Sequence, residues 1–226
     1  SSLFPKEYHD RLMNIKENIL GQNKADGSLR HVMKSGVCSN DANSKPLADI
    51  FPAVSIMFAD IAGFTAWSSV REPHQVFTLL ETLFGSFDDI TQTYNIFKVE
   101  TVGDCYVAAA GLPNPRQDHA IAIVKFSISI LQSMQVLTRE LEVMLGPDTG
   151  DLSLRVGIHS GPVTAGILRG QKSRFQLFGD TMNMASRVES NGMPGRIQVS
   201  QATADCLVES GSGHWLRKRP EKIAAK

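Results

Sequence analysis

The fold is set by the stretch FADIAGFT, residues 58–65, which ends an apolar run over Ala53–Phe58. That run predicts a buried β-strand, and Gly63 after it permits a tight turn. Asp60 therefore lies where the strand gives way to the turn. Backbone N–H groups from Gly63 to Thr65 begin the next helix, and such groups suit a phosphate. A helix-capping role for Asp60 is the alternative interpretation.

A second Asp occupies a comparable position in the stretch ETVGDCYV, residues 100–107. Apolar runs at Phe97–Val99 and Cys105–Ala110 predict a β-hairpin with Asp104 in its turn. Carboxylates on neighbouring strands supply the hard oxygen ligands that divalent cations need. The sequence therefore predicts a metal site at Asp60 and Asp104.

A third stretch, LFGDTMNMASR, spans residues 177–187 and places Asn183 and Arg187 four residues apart in a predicted helix. Side chains at this spacing share one helical face. Arg presents a planar fork of donors that fits phosphate oxygens. An ordinary solvated helix face is the alternative. Together with the two carboxylates, the pair favours chemistry on a polyphosphate.

The remaining pattern alternates between helical and strand periodicity. Gly146-Pro147 ends the longest predicted helix. Apolar spacing predicts helices near Val76–Ile90, Asp118–Leu145, Thr181–Ser190 and Gln201–Glu209, and strands at Leu152–His159, Val163–Ile167, Phe175–Phe178 and Ile197–Val199. The order β-α-β-β-α-β with further C-terminal α/β elements predicts a ferredoxin-like α+β sandwich. We expect an N-terminal helix over residues 1–20, a flexible loop or linker over 21–45, and a globular domain over 46–226.

The composition excludes several functional classes. The 226 residues carry 23 Lys and Arg against 23 Asp and Glu, so no global charge favours nucleic acid or an anionic membrane. Three widely spaced cysteines, Cys38, Cys105 and Cys206, indicate reduced thiols in a cytosolic setting. No apolar run is expected to reach the roughly 20 residues that span a bilayer.

Taken together, the three stretches resemble the catalytic domain of the class III nucleotidyl cyclases, the adenylate and guanylate cyclases. The resemblance covers residues 47–226, with the motifs in order at compatible distances. It implies the class III cyclase type of α+β fold and a phosphorus–oxygen lyase that forms a cyclic nucleotide and pyrophosphate. The family motif that continues past Lys226 is missing, so the domain is expected to be C-terminally truncated.

The resemblance also implies a role for each site residue. Asp60, Asp104 and the Ile61 carbonyl resemble the ligands of two divalent cations, Mg²⁺ or Mn²⁺. Arg187 is similar to the residue that stabilises the α-phosphoryl transition state, and Asn183 to the residue that orients the ribose. The expected substrate contacts are Glu100, Gln176, Phe64, Thr65, Arg155 and Lys226.

Glu100 and Gln176 correspond to the base-reading positions of the family. An ionised Glu only accepts hydrogen bonds, so Glu100 suits the N1–H and N2–H₂ donors of guanine, and the Gln176 amide can donate to O6. Against adenine, Glu100 would face the N1 lone pair. Gln176 departs from the small residue usual in guanylate members, and a rotated amide can accept from adenine N6. GTP is therefore the expected substrate and ATP the alternative.

In this family the site forms between two subunits arranged head to tail. This chain carries both half-sets of residues, so the resemblance implies a homodimer with two equivalent sites. It also implies a place on the cytoplasmic side, within a larger membrane-anchored receptor-type protein. A catalytically silent dimer partner is one alternative, although such chains typically lose a metal Asp or the Asn/Arg pair. A ferredoxin-like RNA-binding module is disfavoured because Cys105–Ala110 carries only Tyr106 as an aromatic.

Overall fold

The computed structural model describes residues 47–168 and 174–219 of the chain. The helix predicted over 1–20 and the loop over 21–45 lie outside these residues. The elements, in chain order, are β1 (Leu47–Ala62), α1 (Phe64–Ser68), α2 (Pro73–Tyr94), β2 (Phe97–Val102), β3 (Cys105–Ala110), α3 (His119–Leu145), β4 (Ser153–Leu168), β5 (Arg174–Phe178), α4 (Asp180–Ser190), β6 (Ile197–Val199) and α5 (Gln201–Glu209). Short 3-10 turns lie at Pro147–Asp151 and Gly213–Trp215.

The strands form one sheet in the order β2-β3-β1-β4-β5, with β6 paired to β4. β3 is antiparallel to both β1 and β2, whereas β6 runs parallel to β4. Strands β1 to β4 and helices α2 and α3 thus form a βαββαβ unit, to which β5, α4, β6 and α5 are added. The predicted α+β class is confirmed.

Contacts divide the chain into two units. Among the described residues, the larger unit contains 50–164 and 177–219, and it holds the helices together with most of the sheet. Among the described residues, the smaller unit contains 47–49, 165–168 and 174–176, which are the start of β1, the end of β4 and most of β5.

The core of the larger unit lies where α2 and α3 pack against β3. Tyr106 of β3 is fully buried, with its ring 5.5 Å from Phe87 of α2 and 6.4 Å from Phe126 of α3, measured between ring centroids. Its hydroxyl donates a 2.6 Å hydrogen bond to Asp88, which also pairs with Lys98 of β2. A buried hydroxyl needs such an acceptor. This contact fixes the position of β3 at Tyr106, two residues after Asp104.

The structure corrects the prediction of two strands at Leu152–His159 and Val163–Ile167, because β4 is continuous from Ser153 to Leu168. Gly161 and Pro162 do not turn the chain. A Cβ at Gly161 would lie 2.7 Å from Oγ1 of Thr181, and the same Oγ1 donates to the Pro162 carbonyl at 2.6 Å. Because Gly161 has no side chain, the start of α4 can pack directly against β4.

The expectation about apolar runs also needs correction. By length and composition α3 could cross a membrane, with a mean hydropathy of 1.6 over an 18-residue window, and it is the one such helix among the described residues. Packing explains that composition, since Ile123, Phe126, Ile130 and Met134 are almost fully buried in the core. A buried core helix passes the same test as a membrane span.

Candidate functional site

The sheet register brings the two predicted metal ligands together. Asp60 of β1 pairs with Cys105 of β3, and Cys105 also pairs with Val102 across the turn made by Gly103 and Asp104. Gly103 has a φ of 61°, which suits a two-residue hairpin turn. Asp104 therefore directly precedes the strand partner of Asp60.

Asp60 lies within β1, three residues before Gly63, and the strand continues to Ala62. The N-cap of α1 is Gly63 itself, with a φ of 89° and no side-chain cap. The capping alternative for Asp60 is therefore wrong, and its carboxylate is available for another role.

The electrostatics of this carboxylate pair favour a cation. Burial raises the pKa of Asp104, the charge of Asp60 and a side-chain hydrogen bond with Asp60 raise it further, and Arg155 lowers it. Like charges this close disfavour double ionisation unless a positive group lies beside them.

Arg155 of β4 supplies positive charge to this pair. Its Nη2 donates to Oδ2 of Asp60 at 3.0 Å, and its Nε donates to Oε1 of Glu189 at 2.5 Å. Arg155 and Asp60 are each about one-quarter exposed, whereas the Glu189 side chain is only 7% exposed. Burial raises the pKa of Glu189, and the hydrogen bond from Arg155 opposes that shift. The guanidinium therefore joins two carboxylates from different elements.

Helix α4 presents two different faces. Its inner face buries Ala185, Val188 and Glu189, whereas Asn183 and Arg187 are exposed. In the part of the chain that the structure describes, neither of these two side chains forms a hydrogen bond or an ion pair. The predicted Asn/Arg pair thus faces away from the core of its own chain.

The other predicted substrate contacts lie on several different elements. Glu100 is exposed on β2, next to a register irregularity after Lys98. Phe64 is half-buried and stacks on Trp67 at 6.3 Å between ring centroids, and Thr65 is exposed in α1. Gln176 is half-buried on β5 in the smaller unit.

Two further predicted residues need separate mention. The side chain of Ile61 is buried in the core, which leaves its backbone carbonyl as the predicted ligand. Lys226 lies outside the described residues. The structure therefore brings together Asp60, Asp104 and Arg155 from the predicted set.

Sequence reasoning missed Glu189, which joins this group through Arg155. The signal was indirect: an Arg on a predicted buried strand needs a carboxylate partner, because an unpaired buried charge is costly. Glu189 is 34 residues further along the chain, so only the packing of α4 on β4 identifies it.

The donor set fits a divalent cation that also has ligands from another molecule. No group of three or more His, Cys, Asp or Glu side chains capable of holding a metal occurs within residues 47–168 and 174–219. Two carboxylates and a carbonyl offer oxygen atoms only, as Mg²⁺ and Mn²⁺ prefer. Such an open site leaves coordination positions for phosphate oxygens or water.

Comparison with known proteins gives a consistent match. Residues 48–222 match the family model of the adenylate and guanylate cyclase catalytic domain. The chain is 43% identical over 162 residues to a receptor-type guanylate cyclase of Caenorhabditis elegans, covering 72% of this chain and 12% of that protein. It is 45% identical over 171 residues to guanylate cyclase 2G of Rattus norvegicus, covering 75% of this chain and 15% of that protein. The chain thus spans less than a sixth of either relative.

Solved structures agree with this match. The guanylate cyclase domain of RhGC from Catenaria anguillulae, determined in complex with GTP, is 33% identical with a TM-score of 0.64, covering 70% of this chain and 84% of that one. The adenylyl cyclase CyaB from P. aeruginosa is 26% identical with a TM-score of 0.66, covering 72% of this chain and 83% of that one.

Proposed function

This chain belongs to the adenylate and guanylate cyclase catalytic domain family, and we propose that it converts GTP to cyclic GMP and pyrophosphate. The observation that carries the proposal is the proximity of Asp60 to Asp104, which directly precedes the strand partner of Asp60, beside the guanidinium of Arg155. Its two named relatives are guanylate cyclases, which supports GTP over ATP. Cyclisation of ATP to cyclic AMP remains the alternative.

The carboxylate pair supplies the binding site for divalent cations, with the Ile61 carbonyl as a further ligand. Cations bound there would lower the pKa of the ribose 3′-hydroxyl and hold triphosphate oxygens. The proximity of Asp60 to Asp104 supports this assignment, because their mutual repulsion falls when positive charge lies between them.

The remaining residues bind and orient the nucleotide. Arg187 stabilises the negative charge that develops on the α-phosphoryl group as the 3′-oxygen attacks in line and pyrophosphate leaves. Asn183 orients the ribose. Arg155 and Lys226 bind the triphosphate, and the backbone at Phe64 and Thr65, next to the positive end of α1, contributes phosphate contacts.

Glu100 selects guanine through its N1–H and N2–H₂ donors, and Gln176 donates to O6. Adenine would leave the Glu100 carboxylate facing a lone pair, which costs about 1–3 kcal/mol for a buried neutral group and more for a charge. The exposure of Glu100 in one chain is consistent with a role at a surface that the nucleotide and a second subunit cover.

We further propose that two copies assemble head to tail, on the cytoplasmic side of a larger receptor-type protein. Asn183 and Arg187 are exposed and unpaired within the described residues, as expected if they serve the carboxylates of a partner. Each dimer would then contain two equivalent sites.

The direct test is a competition assay. The purified chain is incubated with equimolar GTP and ATP plus Mn²⁺, and both cyclic nucleotides are quantified. Cyclic GMP should dominate and should disappear in an Asp104→Ala variant whose circular dichroism matches the wild type. Dominant cyclic AMP would contradict the base assignment but leave the mechanism intact. The absence of both products would favour a catalytically silent partner.

A mixing experiment tests the arrangement of the dimer. Asp104→Ala and Arg187→Ala chains should each be inactive alone. A 1:1 mixture should recover roughly a quarter of wild-type activity, because half of the dimers are mixed and each of those has one intact site. If both residue sets served one site within the same chain, the mixture would stay inactive.

A further inference from the structure

The ion pair at Arg155 has two unequal ends. Asp60 lies near the end of β1 and is a proposed metal ligand, whereas Glu189 lies on the buried face of α4. The Arg155 guanidinium contacts both carboxylates, Asp60 through Nη2 at 3.0 Å and Glu189 through Nε at 2.5 Å. Arg155 therefore occupies a carboxylate oxygen that the proposed cation also needs.

The Glu189 end is the more firmly held. The Ser190 hydroxyl lies 3.2 Å from Oε2 of Glu189 and 3.0 Å from the Ser186 carbonyl, so these two oxygens share its one proton. A Cβ on Gly157 would lie 2.0 Å from the Glu189 nitrogen, which shows how closely the α4 backbone approaches β4. A Cβ on Gly192 would lie 3.0 Å from Cγ of Arg155, so the arginine stem is also confined.

The formal charges are consistent with an exchange of partners. Asp60, Asp104 and Glu189 with one guanidinium leave two negative charges, which a single divalent cation balances. If Asp60 became a metal ligand, Nη2 of Arg155 would lose an acceptor while Nε would keep Glu189. The freed edge of the guanidinium then suits a phosphate oxygen, because Arg binds planar pairs of acceptors.

We propose that Arg155 is the counter-ion of the carboxylate site in the nucleotide-free protein, and that Glu189 is a positioning residue that retains Arg155 when divalent cations take Asp60. This inference rests on the metal site of the proposed function. Arg155 thus competes with the first cation for Asp60 and later contacts the triphosphate. Glu189 limits the movement of the Arg155 side chain between these two positions.

A purely structural ion pair makes the opposite prediction. If Arg155 only held the site together, its removal would loosen Asp60 and weaken cation binding. If Arg155 competes with the cation, its removal strengthens binding in the absence of nucleotide. The sign of the change in affinity therefore distinguishes the two roles.

The first experiment titrates Mn²⁺ into the nucleotide-free protein and follows free Mn²⁺ by electron paramagnetic resonance. Arg155→Met keeps an unbranched stem without the charge, and Arg139→Met, on the exposed face of α3, is the matched control. We expect Arg155→Met to bind Mn²⁺ roughly three- to tenfold more tightly, since displacing a half-buried ion pair costs on the order of 1 kcal/mol. Arg139→Met should bind like the wild type.

A second variant covers a failure of Arg155→Met to fold. Lys at this position keeps one positive charge but cannot bridge two carboxylates as the guanidinium does. Arg155→Lys should therefore bind Mn²⁺ with an affinity between those of the wild type and Arg155→Met. Unchanged or weaker binding in the folded position-155 variants overturns the inference. Equal Mn²⁺ binding by the wild type and Asp104→Ala would instead contradict the metal site of the proposed function.

The second experiment isolates Glu189 with two ligands that cannot cyclise. Glu189→Gln should weaken binding of 3′-deoxy-GTP several-fold and raise KM more than it lowers kcat, but should leave cyclic GMP binding unchanged, since cyclic GMP has no β- or γ-phosphate. In an Arg155→Met background, Glu189→Gln should have no further effect on 3′-deoxy-GTP. Equal effects in both backgrounds would show that Glu189 does not act through Arg155.

Discussion

The contact between α4 and β4 is testable by adding a single methyl group at Gly157. A Cβ there would lie 2.0 Å from the nitrogen and 2.3 Å from the Cα of Glu189. Both are backbone atoms, so no side-chain rotation relieves the clash. Helix α4 would have to retreat by roughly 1.4 Å to restore an ordinary contact of 3.4 Å.

The magnitude follows from overpacking. Extra methyl groups in a well-packed interior typically cost about 1–3 kcal/mol, and a clash with backbone belongs at the upper end. Reduced entropy of the unfolded chain offsets about 0.4–1 kcal/mol of this. We therefore expect Gly157→Ala to lose about 2 kcal/mol of unfolding free energy, or roughly 4–8 °C in Tm for a domain of this size.

Gly85 provides the matched control. It lies inside α2, and a Cβ built there meets no atom within 4 Å. Since Gly costs a helix interior about 0.5–1 kcal/mol relative to Ala, Gly85→Ala should be more stable than the wild type. The same substitution thus has opposite expected signs at the two positions.

The assay is urea denaturation followed by circular dichroism, at one fixed protein concentration because dimerisation contributes to apparent stability. A displacement of about 1 Å also moves Asn183 and Arg187 on α4, and misplacement of that size can lower activity about 100-fold. A Gly157→Ala variant with wild-type stability and kcat would refute the close packing of α4 on β4. It would also remove the argument that this packing holds Glu189 in place.

Two other predictions concern selectivity and pH. Exchanging Glu100→Lys together with Gln176→Asp should move the preference from GTP toward ATP, measured as the ratio of kcat/KM values; an unchanged ratio would contradict the base assignment. Burial lowers the pKa of His119 from its ordinary value of 6.5, and its Nδ1 lies 2.7 Å from the Ser55 hydroxyl. The unfolded chain therefore binds the proton more readily, so stability should fall as pH drops below about 6.5. His119→Asn should lose less stability than the wild type between about pH 7 and pH 5, and equal losses would show that His119 does not contribute.

The elements that sequence predicts well are those whose local pattern and tertiary role agree. The strand at Cys105–Ala110 has the predicted bounds and the long helix ends at Leu145 as predicted, because apolar spacing and a Gly stop act locally. The local hairpin around Asp104 was predictable in the same way, whereas the long-range pairing of β1 with β3 is what brings Asp60 beside it.

The errors occur where a residue serves a distant partner. Gly161-Pro162 has the composition of a turn, yet Gly161 is small because Thr181 approaches it. Local propensity contains no information about that approach. Glu189 was missed for a similar reason: next to Ser190 at a helix end it has the pattern of an exposed residue, yet it is buried where α4 approaches β4 closely at Gly157.

Helix α4 connects the two halves of the proposed mechanism. Its buried face carries Glu189, which holds Arg155 beside the carboxylates, and its exposed face carries Asn183 and Arg187. Because a helix moves as a rigid body over so few turns, a change that shifts Glu189 also shifts Arg187. In the proposed head-to-tail dimer, cation binding at one site would then change the position of Arg187, the proposed transition-state residue that the same chain contributes to the other site. The Gly157 substitution perturbs both faces at once, whereas Glu189→Gln changes only the inner one.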